Sequence, residues 1–413
     1  MPGAVVEGRG EGVLYDAIII GGGMVGASLA AALAAQTGKR IAVVEAYAFE
    51  SQSQPSFDDR VIAMSYGSRR IFEAMNLWSQ LESLIEPILS IHVSDRGHFG
   101  VSRLHHTEEN VEALGYVAEN RVLGQVLMDR VRSTPHIEWL CPAQLENLQQ
   151  DEQGVDITIR LGDTKKNLRT KLLVAADGAT SRARELAGLN LQRSDYGQSA
   201  IIANVQTEYP HQNVAYERFT ETGPIAFLPM TQNRCSVVWT VRHDEADAVM
   251  ALNDENFMAQ LQQRFGFRLG HILRCGKRHV YPLAYVAAEQ LTKGRVAIIG
   301  NAAHALHPVS GQGYNLALRD VAAMAELIAR HEDAGHALLL AEYHAARYQD
   351  MQRVYRFTDT LAQLFSNRLT PLAHARAAGL VLLDILPPLR HLLAKQSMGL
   401  LAPMSRMLRR MQP

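Results

Sequence analysis

The chain has little cysteine: Cys141, Cys235 and Cys275 are the only three in 413 residues. Scattered and odd in number, they argue against a disulfide framework and a zinc site, and they suit a reducing cytoplasm. An uncharged apolar run of about 18 residues is also missing, which excludes an ordinary transmembrane helix. Neither charge sign dominates. The 41 Lys and Arg face 42 Asp and Glu for a formal net charge of −1, so there is no general attraction toward nucleic acid. There is no internal repeat and no low-complexity tract. His92, His98, His105 and His106 lack ligand spacing and read as surface residues, so no metal is expected. Residues 1–14 have no apolar core and are expected to be a disordered leader, not a signal peptide. What is present, at 47% hydrophobic content, is enough chain for two or three domains with well-buried cores.

The densest signal runs from Tyr15 to Glu45. Tyr15-Asp16-Ala17-Ile18-Ile19-Ile20 reads as a buried parallel strand, followed directly by Gly21-Gly22-Gly23-Met24-Val25-Gly26. A small-residue helix from Ala27 to Ala35 comes next, then a second apolar run, Ile41 to Val44, ending on Glu45. This is a βαβ unit with a dinucleotide fingerprint. Gly21 turns the chain off the strand, Gly23 removes a Cβ that would block a pyrophosphate, and Gly26 lets helix and strand approach. The helix N-terminus offers N–H groups and a positive dipole end to the diphosphate. Glu45 stands nineteen residues beyond Gly26, close to the roughly 20 expected of an acid that binds a ribose.

Further along, Phe57 to Arg60 leads to a helical stretch around Gly67 to Leu81, and Arg60 alone reads as a loop residue. A helix from Arg121 to Val131, a strand from Ile137 to Leu140 and two β-like runs, Val155 to Leu161 and Leu168 to Ala175, follow. The last of these ends in Asp177-Gly178 and continues to Arg184. Alternating runs between residues 199 and 242 predict an antiparallel sheet inserted into an α/β framework, and Asn253 to Phe265 an amphipathic helix. A buried strand, Arg295 to Ile299, then delivers Gly300 and Asn301 to its C-terminal end, where open α/β sheets bind ligands. The loop His307 to Gly313 opens a long helix to Arg330 whose first turn carries no acid, which suits developing negative charge on a bound ring. His304 and His307 in this loop context read as non-ligands. The last eighty residues read as helical, and Arg390, Lys395, Arg406, Arg409 and Arg410 stand among Leu and Met beyond Asp384 with no acid. Such a basic amphipathic end fits either a membrane surface or partner protein, or a helical cap on the core.

Taken together these stretches resemble the class A flavoprotein aromatic hydroxylases, and more narrowly the ubiquinone-biosynthesis hydroxylases. The matching residues are Gly21, Gly23, Gly26 and Glu45, the segment Asp177-Gly178 to Arg184, and Gly300-Asn301-Ala302-Ala303 through His307-Pro308, Gly311-Gln312-Gly313, Asn315 and Asp320. The C-terminal pattern around Leu364 to Asn367, Gly379-Leu380 and Met398-Gly399 is similar to that subgroup. One departure is Asn301, where the family usually has Asp; its amide oxygen still accepts a hydrogen bond, without charge. The Gly-Asn form resembles the branch acting on 2-polyprenyl-6-methoxyphenol.

The resemblance implies an α/β, Rossmann-like FAD-binding domain with an inserted antiparallel-sheet substrate domain and a helical C-terminus. The expected division is 14–70, 115–185 and 291–330 for FAD, 71–114 and 186–290 for substrate, and 331–413 helical. It implies FAD along the Gly21 loop and Glu45, with Arg60, Asn120 and Gln125 at its middle, Asp177 and Gly178 near the pyrophosphate, and Gly300 and Asn301 at the ribityl chain. The isoalloxazine would rest on Pro308, Gly311, Gln312 and Gly313, with Asn315 beside it. There is no second glycine fingerprint, and the family binds NADH or NADPH transiently on the flavin domain. The implied reaction uses NAD(P)H and O₂, through a flavin hydroperoxide, to hydroxylate a polyprenylated phenol. No acid–base catalytic residue is assigned, and Tyr216, Phe227 and Tyr281 are candidates for the substrate pocket. Implied partners are a ubiquinone-biosynthesis complex and the inner face of the cytoplasmic membrane, met by the basic C-terminus of a cytoplasmic protein. Trp78, Trp139 and Trp239 are too far apart for the Trp-x-Trp pair of the related halogenases. The remaining alternatives are a hydroxylase of another ring position or substrate and a non-catalytic FAD-bound subunit.

Overall fold

The computed structural model describes residues 14–48, 60–306, 311–366 and 370–401, with side chains throughout except at 362–366 and 370–377. Its first unit is built on β1 (Leu14–Ile20), α1 (Met24–Gln36) and β2 (Ile41–Val44). β1 pairs in parallel with β2 on one side and with Thr164–Ala175 on the other, Ile18 facing Ala42 and Leu173. β2 is buried along its whole length and β1 from Ala17 to Ile20, so these strands read as continuous apolar runs. The path across this sheet is Thr292–Lys293, Val296–Ile298, Thr164–Ala175, β1, β2, Ile137–Leu140. Val155–Leu161 and Ala143–Gln150 extend it as an antiparallel meander. Gly and Ala on α1 keep the helix thin, and its Ala27 and Leu29 to Leu33 are buried in the same core as Leu316, Val321 and Ile328 of the long helix Gln312–Arg330.

The second unit is a nine-stranded sheet. Its path is His304–Ala305, His279–Ala288, Leu191–Thr207, Arg234–Arg242, Gly223–Met230, Val214–Thr220, Ser90–Asp95 and Val101–His105, with Ile272–Cys275 beside Leu191–Thr207. Strict alternation gives it two apolar faces. Ile201, Ala203, Ile225, Phe227, Val237 and Trp239 point to one face and pack on Phe257, Leu261 and Phe265 of helix Asp254–Phe265. Ala200, Ile202, Ala226, Leu228 and Val238 point to the other and line a cavity.

A three-stranded sheet, Val61–Ser65, Gly115–Glu119 and Glu86–Ile88, contributes to the same cavity. Ile71, Phe72, Met75, Leu77, Trp78, Leu81 and Ile85 pack in the core of the first unit, although the expected division grouped them with the substrate domain. Helices Ala337–Ser366, Thr370–Ile385 and Pro387–Ser397 follow. None of the described helices is long and apolar enough to cross a membrane.

Candidate active site

The glycine loop is built as tightly as its chemistry requires. Gly21 has φ +95°, and a Cβ there would lie 2.6 Å from the Ala176 carbonyl oxygen; a Cβ on Gly26 would lie 1.8 Å from that of Gly21. Gly23 is the N-cap of α1, with no side-chain cap and no acid in the first turn, so the helix's first N–H groups are left for an outside acceptor. Gly22 was not singled out from sequence, yet a Cβ on it would strike the Trp139 ring at 2.3 Å. Glu45 is buried; its Oε2 accepts the Gly22 N–H at 2.6 Å and its Oε1 the Tyr47 N–H at 2.8 Å. The carboxylate therefore braces the loop, and its remaining lone pairs keep capacity for a hydroxyl.

Arg60 donates to the Tyr281 hydroxyl at 2.8 Å, and its guanidinium lies 5.2 Å from that ring's centroid. The Asn120 N–H bonds the Arg60 carbonyl at 2.9 Å. Asn120 is 7% exposed, and its Oδ1 has no hydrogen-bond partner among the described residues. A buried amide oxygen of this kind is costly unless a ligand donor meets it. Gln125 does not join this row. Helix Asn120–Arg132 buries Leu123, Gly124, Leu127 and Val131, which turns position 125 outward, where its amide bonds Asp129 at 2.8 Å.

Asp177 also differs from expectation. Its carboxylate accepts from Ser181 Oγ and, at 3.1 Å, from the Ala183 N–H, so it organises its own turn and the start of helix Arg182–Leu186. Burial pushes its pKa up while these bonds pull the other way. Gly178, at φ +85°, has open space where a side chain would stand. Arg184 donates to the carbonyls of Ala179 (3.1 Å) and Ala302 (3.2 Å), tying this turn to the Gly300 turn.

Gly300 has φ +58°, and a Cβ there would lie 2.9 Å from Val25 on α1; Asn301 beside it is exposed. The turn is held from behind by Asp320, which sequence reasoning quoted in the motif without giving it a task. Asp320 Oδ2 accepts from the Gly300 N–H at 3.2 Å and from His304 Nε2 at 2.7 Å, and Oδ1 accepts from Arg347 Nε at 2.8 Å. Burial pushes the Asp320 carboxyl up, but Arg347 and His304 outweigh it and hold it at about 2.

Pro308 and His307 lie outside the described residues. Gly311, at φ +58°, is the N-cap of Gln312–Arg330, whose first turn carries no acid. Gln312 is buried, and Gly311 and Gly313 line the cavity. The Asn315 side chain is fully occupied: Oδ1 accepts from the Ser65 N–H (2.8 Å) and Ser68 Oγ (2.7 Å), and Nδ2 donates to the carbonyls of Ala63 (2.9 Å) and Gly311 (2.7 Å). It staples the glycine turn to strand Val61–Ser65 and, with every bond taken, is a brace instead of the ligand contact expected.

The cavity holds about 500 Å³. At one part of its wall stand Gly311, Gly313, Arg60 and Tyr281; elsewhere Phe357, Leu361, Leu380, Leu383 and Leu393 bring in all three C-terminal helices. Tyr281 faces inward, being paired with Ala200. Tyr216 touches the cavity, but its ring packs on Phe265 and His92 at 5.7 and 5.5 Å between centroids. Phe227 is not a pocket residue: it stacks on Phe265 at 3.8 Å on the helix-covered face.

A family model described as an FAD binding domain matches residues 14–358. The ubiquinone hydroxylase UbiL of Rhodospirillum rubrum is 39% identical over 94% of this chain and 90% of its own length. The 3-demethoxyubiquinol 3-hydroxylase of Escherichia coli is 32% identical over 92% and 98%. The solved p-nitrophenol 4-monooxygenase PnpA of Pseudomonas putida, 18% identical, superposes with a TM-score of 0.79 over 95% of this chain and 99% of that one, a likeness of fold. The chain belongs to the class A FAD-dependent aromatic hydroxylases, in the family that contains the ubiquinone hydroxylases.

Proposed function

We propose that the protein hydroxylates the ring of a polyprenylated phenol, 2-polyprenyl-6-methoxyphenol, in ubiquinone biosynthesis. The observation that carries this is the continuity of one cavity from Gly311 and Gly313 to the leucines of the C-terminal helices. An aromatic ring alone would not need an apolar wall drawn from three further helices, whereas an isoprenoid chain gains roughly 25 cal/mol for each Å² it buries there.

The residues fit FAD. What supports this is the Gly21 and Gly26 cradle, the bare N-terminus of α1, Glu45, the Asn120 oxygen without a partner among the described residues, and the turns at Gly300 and Gly311. In this reading Arg60, Asn120, Asn301 and the backbone at Gly311 to Gly313 hold the cofactor, and Asp320, Arg184 and Asn315 position the turns. When bound, FAD supplies reduction by NAD(P)H and activation of O₂. The chain contributes orientation and dryness, and the Arg60–Tyr281 pair gives the phenol hydroxyl a polar neighbour in an apolar cavity. The same reading keeps the division into FAD-binding and substrate units, with residues 71–85 assigned to the FAD unit because they pack in its core. Peripheral membrane contact and a place in a biosynthetic complex belong to the same reading, supported by exposed Leu382, Ile385 and Leu392 on the C-terminal helices.

The test is consumption of NAD(P)H and O₂ by FAD-loaded protein on adding a short-chain 2-prenyl-6-methoxyphenol, with the product identified by mass spectrometry. One hydroxyl gained per NAD(P)H supports the reading; NAD(P)H oxidation with unchanged phenol overturns the substrate assignment.

A further inference from the structure

The cavity uses one face of the nine-stranded sheet. On the other face, the core under helix Asp254–Phe265 takes in the central strands and Tyr216 but not the outer strands Ser90–Asp95 and Val101–His105. His92 and Ser94 pair with Tyr216 and Arg218, and Tyr216 pairs with Phe227 on the helix-covered face, so all of these residues share it. A second pocket of about 240 Å³ opens there, lined by Ser94, Asp95, Val101, Arg218 and Arg268 and by the hairpin tip with Phe99.

Three buried atoms at this place, His92 Nδ1, Ser94 Oγ and Arg218 Nε, have no hydrogen-bond partner among the described residues. Ser94 is 4% exposed. Arg218 gives one N–H to the Phe265 carbonyl at 3.0 Å, which leaves its Nε edge toward neither backbone nor carboxylate. Of the carboxylates, Asp95 lines the pocket with Arg218 and Arg268 and lies 3.4 Å from His98, while Glu221 meets Arg96 at 2.8 Å and Arg264 at 3.6 Å, and Asp384 meets Arg103 at 3.8 Å. Burial, Arg268 and Arg96 push Arg218 down against the pull of Asp95, and burial, Arg268 and Arg103 push His92 down to about 4. Two guanidinium groups thus face one carboxylate in the pocket lining, and the positive charge is in excess. Phe99 is 94% exposed and Phe267 62%, its ring edge-on to His271 at 5.3 Å, so two largely exposed rings stand close in sequence to residues of the pocket.

We infer that this groove is an anion site for a phosphate group, held by the Arg218 and Arg268 guanidinium groups and the Ser94 hydroxyl. A guanidinium fork matches phosphate oxygens in pairs, and a hydroxyl supplies the third contact. The phosphate belongs either to a small soluble phosphate or to the headgroup of an anionic phospholipid. The second source gains from position, since the Arg103 N–H bonds Asp384 at 3.0 Å and so places the groove next to the exposed Leu382 and Ile385.

Full-length FAD-loaded protein is titrated with pyrophosphate by calorimetry, and sedimented with phosphatidylglycerol and with phosphatidylcholine vesicles. Arg268→Ala, at an exposed position, is expected to keep flavin content and melting temperature and to weaken phosphate binding about tenfold or more. Ser94→Ala is expected to weaken it less, and Lys165→Ala, exposed on the antiparallel meander of the first unit, not at all. Loss of pyrophosphate binding in Arg268→Ala identifies a soluble ligand; loss confined to phosphatidylglycerol vesicles identifies a headgroup. No binding of either kind, or an Arg268→Ala protein that binds as well as the parent, overturns the site, as does an equal loss in Lys165→Ala.

Discussion

Gly26 shows how little freedom the site leaves to single residues. A methyl group there would overlap the Gly21 carbonyl at 1.8 Å, and a neighbour that is backbone cannot rotate away as a side chain can. Gly26→Ala is therefore expected to separate α1 from the glycine loop, at about 1–3 kcal/mol or more, and to purify without flavin; absorbance near the flavin band against protein absorbance checks it. Asp320 makes a pH-dependent contribution. Its carboxyl is held at about 2 in the fold against about 3.9 in an unfolded chain. A depressed pKa gives stability that is full above the unfolded value and is lost as pH falls from about 4 toward about 2, here on the order of 2 kcal/mol. Chemical denaturation from pH 6 to pH 2.5 should show a shallower acid limb in Asp320→Asn than in the parent, on a lower plateau because Arg347 loses its partner. Equal limbs would mean that other carboxylates carry the acid sensitivity. At this scale the sequence made Gly21, Gly26 and Glu45 legible, because their spacing alone defines the turn. Asn315 and Asp177 were recognisable as motif members, but whether a motif residue touches the ligand or braces the loop depends on partners far along the chain, such as Ser65 for Asn315.

Elements with a clear apolar period were the most legible. Ile137–Leu140 and Val155–Leu161 have the bounds their apolar pattern predicts, and β1, α1 and β2 follow the glycine spacing. Leu191–Thr207 begins well before residue 199, where the expected alternation starts, because its first half is polar and becomes a strand only by pairing with His279–Ala288 across an irregularity between Asp195 and Gln198. Ser90–Asp95 joins the sheet by a parallel pairing with Val214–Thr220, a contact between distant segments that no local pattern announces. Alternation told which residues share a face but not which face is hollow, and so Phe227 was misplaced. The three C-terminal helices were legible as helices and not as a cavity wall. If that wall holds an isoprenoid chain, Leu383→Ala with Leu393→Ala should raise KM for a prenylated phenol roughly 5- to 30-fold, from about 1–2 kcal/mol of lost contact. A phenol without the chain should be affected little. Equal losses for both substrates would assign the helices a purely structural role.

At the scale of the whole molecule, helices Thr370–Ile385 and Pro387–Ser397 are apolar toward the interior and the exterior alike. Leu380, Leu383 and Leu393 line the cavity, while Leu382 (50%), Ile385 (66%), Leu389 (38%) and Leu392 (54%) are exposed. A helix pair with two apolar faces on a protein surface is normally covered by something, and a bilayer that dissolves the proposed substrate is the cover favoured by the cavity behind it. Burying four half-exposed aliphatic side chains is worth about 1 kcal/mol each. Replacing Leu382, Ile385, Leu389 and Leu392 together by Ser should thus lower partition onto neutral phosphatidylcholine vesicles by about a hundredfold or more while flavin content and melting temperature hold. Because the attraction is apolar, the parent protein's partition should survive 0.5 M salt, under which an arginine–phosphate contact is screened. Partition onto neutral vesicles that the quadruple variant retains in full would remove the bilayer from this face and leave it to a protein neighbour.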